Sequence, residues 1–326
     1  MKRFFWGTIL VLVIAALAYV VPARVYAPIA DTFLQERPVR VLFVGDIMLD
    51  RNVARTIAAE GPEALFVNLT DFLADADVRV GNLEGTITHN ASVAQKNNKI
   101  LRFTFSPADA RAVLEPLHFD ALSLANNHAL DFGEFGYEDT ELELSKIGVQ
   151  SFGKPYNDKY KLSTKLQVRA GKTICLVGYH SLFVATTTNV LAEIQTLRPD
   201  CWQVVVFAHW GEEYVIHSNT SQQAAAHAFI DAGADVVIGA HPHVVQESEI
   251  YKGKAIFYSL GNFMFDQNFS WETTHGLAVR VDFYEDKTRF VLTPTTIKEQ
   301  HAALAEGEEK DAILGRFGGV AEFSLP

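Results

Sequence analysis

Four apolar runs in this chain each end in residues that bind metal or move protons. Val41 to Val44 leads into Gly45-Asp46, and Ala121 to Ala125 leads into Asn126-Asn127-His128, with Asp131 and Gly133 close behind. Val204 to Ala208 leads into His209-Trp210-Gly211, and Asp235 to Ala240 into His241-Pro242-His243. A buried strand ending in polar side chains delivers them to the lip of a sheet, where α/β proteins place their sites. One such ending is ordinary; four in one chain argue for a shared site. Glu84 closes a further run, Val78 to Asn82. A carboxylate at the end of a buried strand needs a partner.

Asp46, Glu84, Asn127, His209, His241 and His243 make up a carboxylate, amide and imidazole donor set. Such a set suits one or two divalent ions of Mn, Zn, Fe or Co rather than a thiolate-type structural zinc. A bridging carboxylate such as Glu84 lets two ions sit a few Å apart, and two-metal sites of that kind polarise a phosphoryl oxygen and activate water. His128 is the candidate for protonating a leaving oxygen, with Asp131, three residues on, to orient it. In His241-Pro242-His243, alternate residues of an extended segment present both imidazoles to one side, and proline favours the extended form. Plainer readings stand beside these. Asn126 and Asn127 could cap a turn, Asp46, Asp50 and Arg51 could open a helix, and a lone strand-end histidine is usually structural. Their joint occurrence favours a metal or anion site. The other histidines read as surface or loop residues, except His180, which also ends a strand. His217, near the His209 loop, is a candidate substrate contact.

The elements that must position these residues follow from apolar patterning. Short runs at Val39–Val44, Val78–Asn82, Ala121–Leu124, Thr173–Gly178, Gln203–Ala208 and Val236–Gly239 alternate with helical stretches. The helices are expected at Glu63–Ala74, Pro107–Leu117, Phe135–Ile147 and Ser221–Ala232. Alternation of this kind implies mostly parallel strands with crossover helices, an α/β fold. Ser248–Tyr251, Ala255–Leu260, Gly276–Phe283 and Thr288–Pro294 follow in close succession and are expected to form an antiparallel run. The expected organisation is an N-terminal segment over 1–30, one domain over 39–295, and a C-terminal tail over 296–326 with a short helix at Glu306 to Leu314.

Of 326 residues, 48% are hydrophobic, enough for a large core. Lys2 and Arg3 precede an uncharged run from Phe4 to Val21 that is about long enough to cross a bilayer. Basic residues held in the cytoplasm send the remainder outward. An uncleaved anchor is favoured, because Val25-Tyr26-Ala27 is a poor cleavage site; a cleaved signal peptide is the alternative. The net charge of -11 argues against nucleic acid as a partner. An anionic substrate would then need local positive charge, which metal could supply. Lys96, Lys99 and Arg102 could flank a site mouth, though a solvated loop is the plainer reading. Cys175 reads as a small buried hydrophobe; whether it pairs with Cys201 is left open.

In this order, the motifs Gly45-Asp46-Ile47-Met48-Leu49-Asp50-Arg51, Gly81-Asn82-Leu83-Glu84-Gly85 and Asn126-Asn127-His128-Ala129-Leu130-Asp131 resemble those of the CapA-like poly-γ-glutamate capsule synthesis proteins. His209-Trp210-Gly211-Glu212-Glu213-Tyr214, Gly239-Ala240-His241-Pro242-His243 and Ser259-Leu260-Gly261-Asn262-Phe263 continue the resemblance, which covers about Val39 to Phe283. It implies a calcineurin-like metallophosphoesterase fold, a two-sheet sandwich flanked by helices. By the same resemblance Asp46, Glu84, Asn127, His209, His241 and His243 are metal ligands and His128 is the catalytic histidine. One departure stands out: Met48 occupies a position where that superfamily has a histidine ligand, and Asp50 is a candidate replacement. The implied function is a membrane-anchored, outward-facing protein for synthesis or export of a poly-γ-glutamate-type capsule polymer, working alongside other capsule-synthesis membrane proteins and carrying a metal-dependent, phosphoesterase-like hydrolase site. A general cell-envelope metallophosphoesterase unrelated to capsule, a non-catalytic accessory that binds the polymer, and a scaffold without metal are the other readings.

Overall fold

The computed structural model describes residues 37–326 apart from 67–68, 98 and 159–160. The expected anchor over 1–30 lies outside the described residues. Among the described residues no helix is long and apolar enough to cross a membrane. Val39–Pro326 makes up one compact unit.

The first half alternates strand and helix: β1 (Val39–Ile47), α1 (Arg51–Glu60), α2 (Thr70–Ala74), β2 (Val78–Leu83), a small ribbon of β3 (Thr86–Ile87) and β4 (Thr104–Phe105), α3 (Pro107–Leu114), β5 (Ala121–Ser123), α4 (Gly133–Lys146) and β6 (Gln150–Phe152). Next come β7 (Ser163–Gln167), β8 (Thr173–His180), α5 (Thr188–Leu197), β9 (Gln203–His209), α6 (Thr220–Ala232) and β10 (Val236–Ala240). The chain finishes with β11 (Ser248–Tyr251), β12 (Lys254–Phe257), β13 (Asn262–Met264), β14 (His275–Phe283), β15 (Thr288–Lys298), β16 (His301–Leu304), α7 (Gly307–Gly315) and β17 (Glu322–Leu325).

The strands form two mixed sheets. One runs β16-β15-β14-β1-β2-β5-β6, with β13 beside β1 and β17 beside β15; the other runs β11-β12-β10-β9-β8-β7. β1, β2, β5 and β6 are parallel, as are β8, β9, β10 and β12. Strand alternation sorts the apolar residues into three cores. Val39, Val41 and Phe43 of β1 meet Val205 and Phe207 of β9 between the sheets. Leu42 and Val44 face the other way, onto a core with Val53 and Ile57 of α1 and Val113 of α3. Val204, Val206 and Ala208 pack with Ile194 of α5 and Phe229 of α6. Because parallel strands here are covered on both faces, they read as near-continuous apolar runs. Helix ends are marked locally. Ser106 accepts from the Asp109 amide with Pro107 at the first turn of α3, and Asn219 and Gln222 make a reciprocal cap on α6.

Several expectations change. The four late strands form two hairpins, not one run: β11 pairs with β12 in the second sheet, and β14 with β15 in the first. In place of one helix over Glu63–Ala74 there are a 3₁₀ turn, Pro62–Leu65, and the short helix α2, Thr70–Ala74. The stretch expected as a tail pairs along the first sheet through β16 and β17, and α7 buries Ile313 and Leu314 in the inter-sheet core. Cys175 and Cys201 are joined in a disulfide.

Candidate metal centre

The C-terminal ends of the central parallel strands from both sheets converge on one cluster. β1 supplies Asp46, β2 supplies Asn82 and leads to Glu84, the turn after β5 supplies Asn127 and His128, β9 ends at His209, and β10 leads to His241. Parallel register brings Asp46 alongside Asn82 and His209 alongside Ala240. Gly45 and Gly239 make room for this convergence. A Cβ on Gly45 would stand 1.8 Å from the Gly261 carbonyl oxygen, and one on Gly239 would stand 1.9 Å from that of Tyr258.

Within the cluster, His243 Nδ1 lies 3.3 Å from Asp46 Oδ2 and its Nε2 3.6 Å from Glu84 Oε1. His209 Nδ1 is 4.0 Å from Asp46 Oδ1, while its Nε2 is 2.8 Å from Asn127 Oδ1. Ligand-capable atoms of Asp46, Glu84 and His209 all fall within 4.8 Å of one another, as do those of Glu213, His241 and His243. His241 and His243 do not sit on an extended segment. Both have positive φ, 94° and 58°, so the chain bends sharply through Pro242. Strained backbone of this kind is characteristic of functional sites, and here it aims both rings inward with the help of the Asp46 carboxylate, which accepts from the His241 amide at 3.2 Å.

The residues fit a divalent cation. Glu84 is fully buried, and neither of its carboxylate oxygens has a hydrogen-bond partner. Burial pushes its pKa well above the usual carboxylate range, against the pull of His243. An ionised carboxylate so placed requires a compensating charge. Burial also drives His241 down to about 2 and, with the neighbouring imidazoles, holds His209 well below its ordinary value. Neutral imidazoles with inward lone pairs are the form that binds metal. The His241 Nδ1 is buried without a partner. His243 differs: burial opposes its charge, but Glu84 and Asp46 outweigh that and raise it to about 9.

Next to these residues, His128 Nδ1 pairs with Asp131 Oδ2 at 2.8 Å, leaving Nε2 3.8 Å from Glu84 Oε1. The dyad is clamped from outside. Asp131 Oδ2 also accepts from the Phe103 amide at 2.7 Å, its carbonyl accepts from Arg102 at 2.8 and 2.6 Å, and the Phe103 ring lies 4.3 Å from that of His128. The arrangement can hold an imidazole in one orientation with a single nitrogen facing the cluster.

All eight residues singled out from sequence therefore gather at one place. Met48 and Asp50 do not join them. Met48 is buried in the helix-side core, its sulfur 3.0 Å from the Asp50 amide. Asp50 caps α1, and its oxygens accept from Arg51, Ser92, Gln95 and Thr104. With every lone pair engaged, it cannot replace the missing ligand. His217 is exposed beside Glu247, and His180 is buried with its Nδ1 on the Pro155 carbonyl, its ring 5.7 Å from that of His209. Sequence reasoning missed Asn82, whose amide nitrogen donates to Asp46 at 2.7 Å and sits 3.3 Å from His209. The two-residue spacing from Glu84 was the signal, since alternate strand residues share a face. Glu213 and Asn262, the latter 2.9 Å from His243 Nδ1, carried no comparable signal.

Fold and site together define a two-sheet α/β protein with a buried carboxylate–imidazole cluster fitted to a cation. The family described as bacterial capsule synthesis protein PGA_cap matches residues 40–267, and the chain belongs to that family. The "PGA biosynthesis protein CapA" of Bacillus subtilis (strain 168) is 34% identical over 289 residues, covering 83% of this chain and 74% of that protein. The "Capsule biosynthesis protein CapA" of Bacillus anthracis is 30% identical over 312 residues, covering 89% and 75% respectively. Among solved structures, TT1561 of Thermus thermophilus aligns with a TM-score of 0.40 at 10% identity, over 74% of this chain and 94% of that one.

Proposed function

We propose that this chain acts in the synthesis or export of a poly-γ-glutamate-type capsule polymer, outside the cytoplasmic membrane, and that its cluster is a metal-dependent, phosphoesterase-like hydrolytic site. The names of the relatives from Bacillus subtilis and Bacillus anthracis support the polymer. The Cys175–Cys201 disulfide supports an oxidising compartment, and the apolar run near Lys2 and Arg3 supports an anchor.

The observation that carries the hydrolytic reading is Glu84, a buried carboxylate without a hydrogen bond, faced by Asp46, His209, His243 and His128. Asp46, Glu84, Asn127, His209, His241 and His243, with Glu213 at the rim, would hold one or two divalent ions. Bound there, a divalent ion supplies Lewis-acid polarisation and lowers the pKa of water. The chain's own residues do the rest. Asp131 fixes the His128 ring through Nδ1, so Nε2 is the nitrogen that delivers a proton to a leaving oxygen. Phe103 and Arg102 hold that pair in place. A dyad clamped in this way favours an enzyme over an accessory that merely grips polymer, since gripping has no use for a positioned acid.

Elemental analysis of wild type beside His241→Ala and Asn127→Ala, with turnover of an aryl phosphodiester under added Mn, tests the reading. Near-stoichiometric metal lost in both variants, with turnover in wild type, is the expected result. Metal without turnover would leave the polymer-gripping accessory in its place. Absence of metal under every loading condition would overturn both.

A further inference from the structure

The chain carries a net charge of -11, and most of its described cations are paired with carboxylates. Arg55 and Lys96 are not. Neither has an ion-pair partner among the described residues, and both line one cavity of about 410 Å³ between α1, the turn at Ala94–Asn97 and the Asp266–Phe269 loop. Arg55 is held open toward it by neutral acceptors only, Asn52 Oδ1 at 2.5 Å and the Gln95 carbonyl at 2.8 Å. Arg51, also in the wall, pairs with Asp266 and lies over the rings of Phe103 and Phe265. Its φ of 53° is left-handed, unusual for a residue with a side chain at the first position of a helix. One carboxylate in the cavity is thus already matched, and two cations are left over.

The cavity adjoins the cluster by two routes. Arg51 covers the face of Phe103, whose ring lies against that of His128. Gln267 in the cavity wall accepts from Asn262 at 3.0 Å, and Asn262 Oδ1 contacts His243 Nδ1. Gln267 also donates to Tyr214, which stacks near His243.

Resting on the function proposed above, we infer that this cavity is an anion subsite that holds a side carboxylate of an acidic polymer while a neighbouring repeat lies at the cluster. A guanidinium fork and an ammonium are the groups that recognise a carboxylate by charge-assisted hydrogen bonds. Asp266 in the wall disfavours a more highly charged phosphate, because its own charge is matched only by Arg51.

The test is calorimetric titration of the full chain with short poly-γ-glutamate, comparing wild type, Arg55→Ala/Lys96→Ala, and Lys310→Ala, a cation elsewhere on the surface with no ion-pair partner among the described residues. The double variant should bind at least about tenfold more weakly and lose most of the salt dependence. Lys310→Ala should bind as wild type, and the charge-keeping Arg55→Lys/Lys96→Arg should stay within a few-fold of it, which excludes a folding defect. Metal content of the same samples separates the two proposals: loss of metal bears on the cluster, loss of polymer affinity on the cavity. Unchanged affinity in the double variant, no binding by wild type, or tighter binding of polyphosphate of matched length would each overturn the subsite.

Discussion

Glu84 is the residue on which the chemistry of this site turns. Its two oxygens are buried and unbonded, and burial keeps its proton affinity high. Glu84→Gln keeps the shape and removes the charge. The metal-free variant should melt within a few degrees of wild type, because one costly buried group replaces another. Wild type should gain Tm on adding Mn and the variant should not, since ligand-linked stabilisation requires binding to the native state. Differential scanning with and without Mn checks both halves. His128 predicts the opposite separation. It is hydrogen-bonded to Asp131 and packed on Phe103, and its Nε2 stays 3.8 Å from Glu84, so His128→Asn should keep its metal and lose about 10²–10⁴ in kcat. Elemental analysis beside the aryl phosphodiester assay reads that split; loss of metal in this variant would make His128 a ligand and not an acid.

At the scale of elements, the site depends on strands that end at a common edge and on two close backbone approaches. Gly45→Ala would drive a Cβ into the Gly261 carbonyl and move Asp46, the next residue. A backbone atom cannot rotate away as a side-chain tip can, so the expected cost exceeds about 3 kcal/mol in urea unfolding, with metal lost as well. The disulfide ties the start of β8 to the residue pair before β9, a sequence separation of 26. Chain-entropy arguments give roughly 3.5 kcal/mol for a loop of that size, so Cys175→Ala/Cys201→Ala should lose on that order in urea unfolding. The strand endings at Asp46, His128, His209 and His241 were legible because fully covered parallel strands are apolar throughout, and their last polar residues stand out. The bend at His241 and His243 was not legible, because proline between two residues speaks for extension, whereas the positive φ at both accompanies a tertiary hydrogen bond from the His241 amide to Asp46. Nor was α5, whose threonine-rich approach gives no side-chain cap.

For the whole molecule, the three cores fall within Val39–Pro326 and include the C-terminal stretch, where β16, α7 and β17 complete the first sheet and the inter-sheet core. Cutting the chain at residue 295 would expose Phe290 and Leu292 and remove Ile313 and Leu314 from that core. It should therefore yield insoluble protein. Starting the chain at Arg37 removes none of these core residues. That version should fold cooperatively, bind metal like the full chain and remain in the soluble fraction after ultracentrifugation. The full chain, whose Phe4 to Val21 run is uncharged, should sediment with membranes and keep its intact mass, because Val25-Tyr26-Ala27 offers signal peptidase a poor site. Fractionation with intact-mass measurement distinguishes the alternatives. A mature form shortened near Ala27 and released from membranes would replace the anchor with a cleaved signal, leaving the extracytoplasmic placement standing; a full-length protein in the cytosol would remove that placement as well.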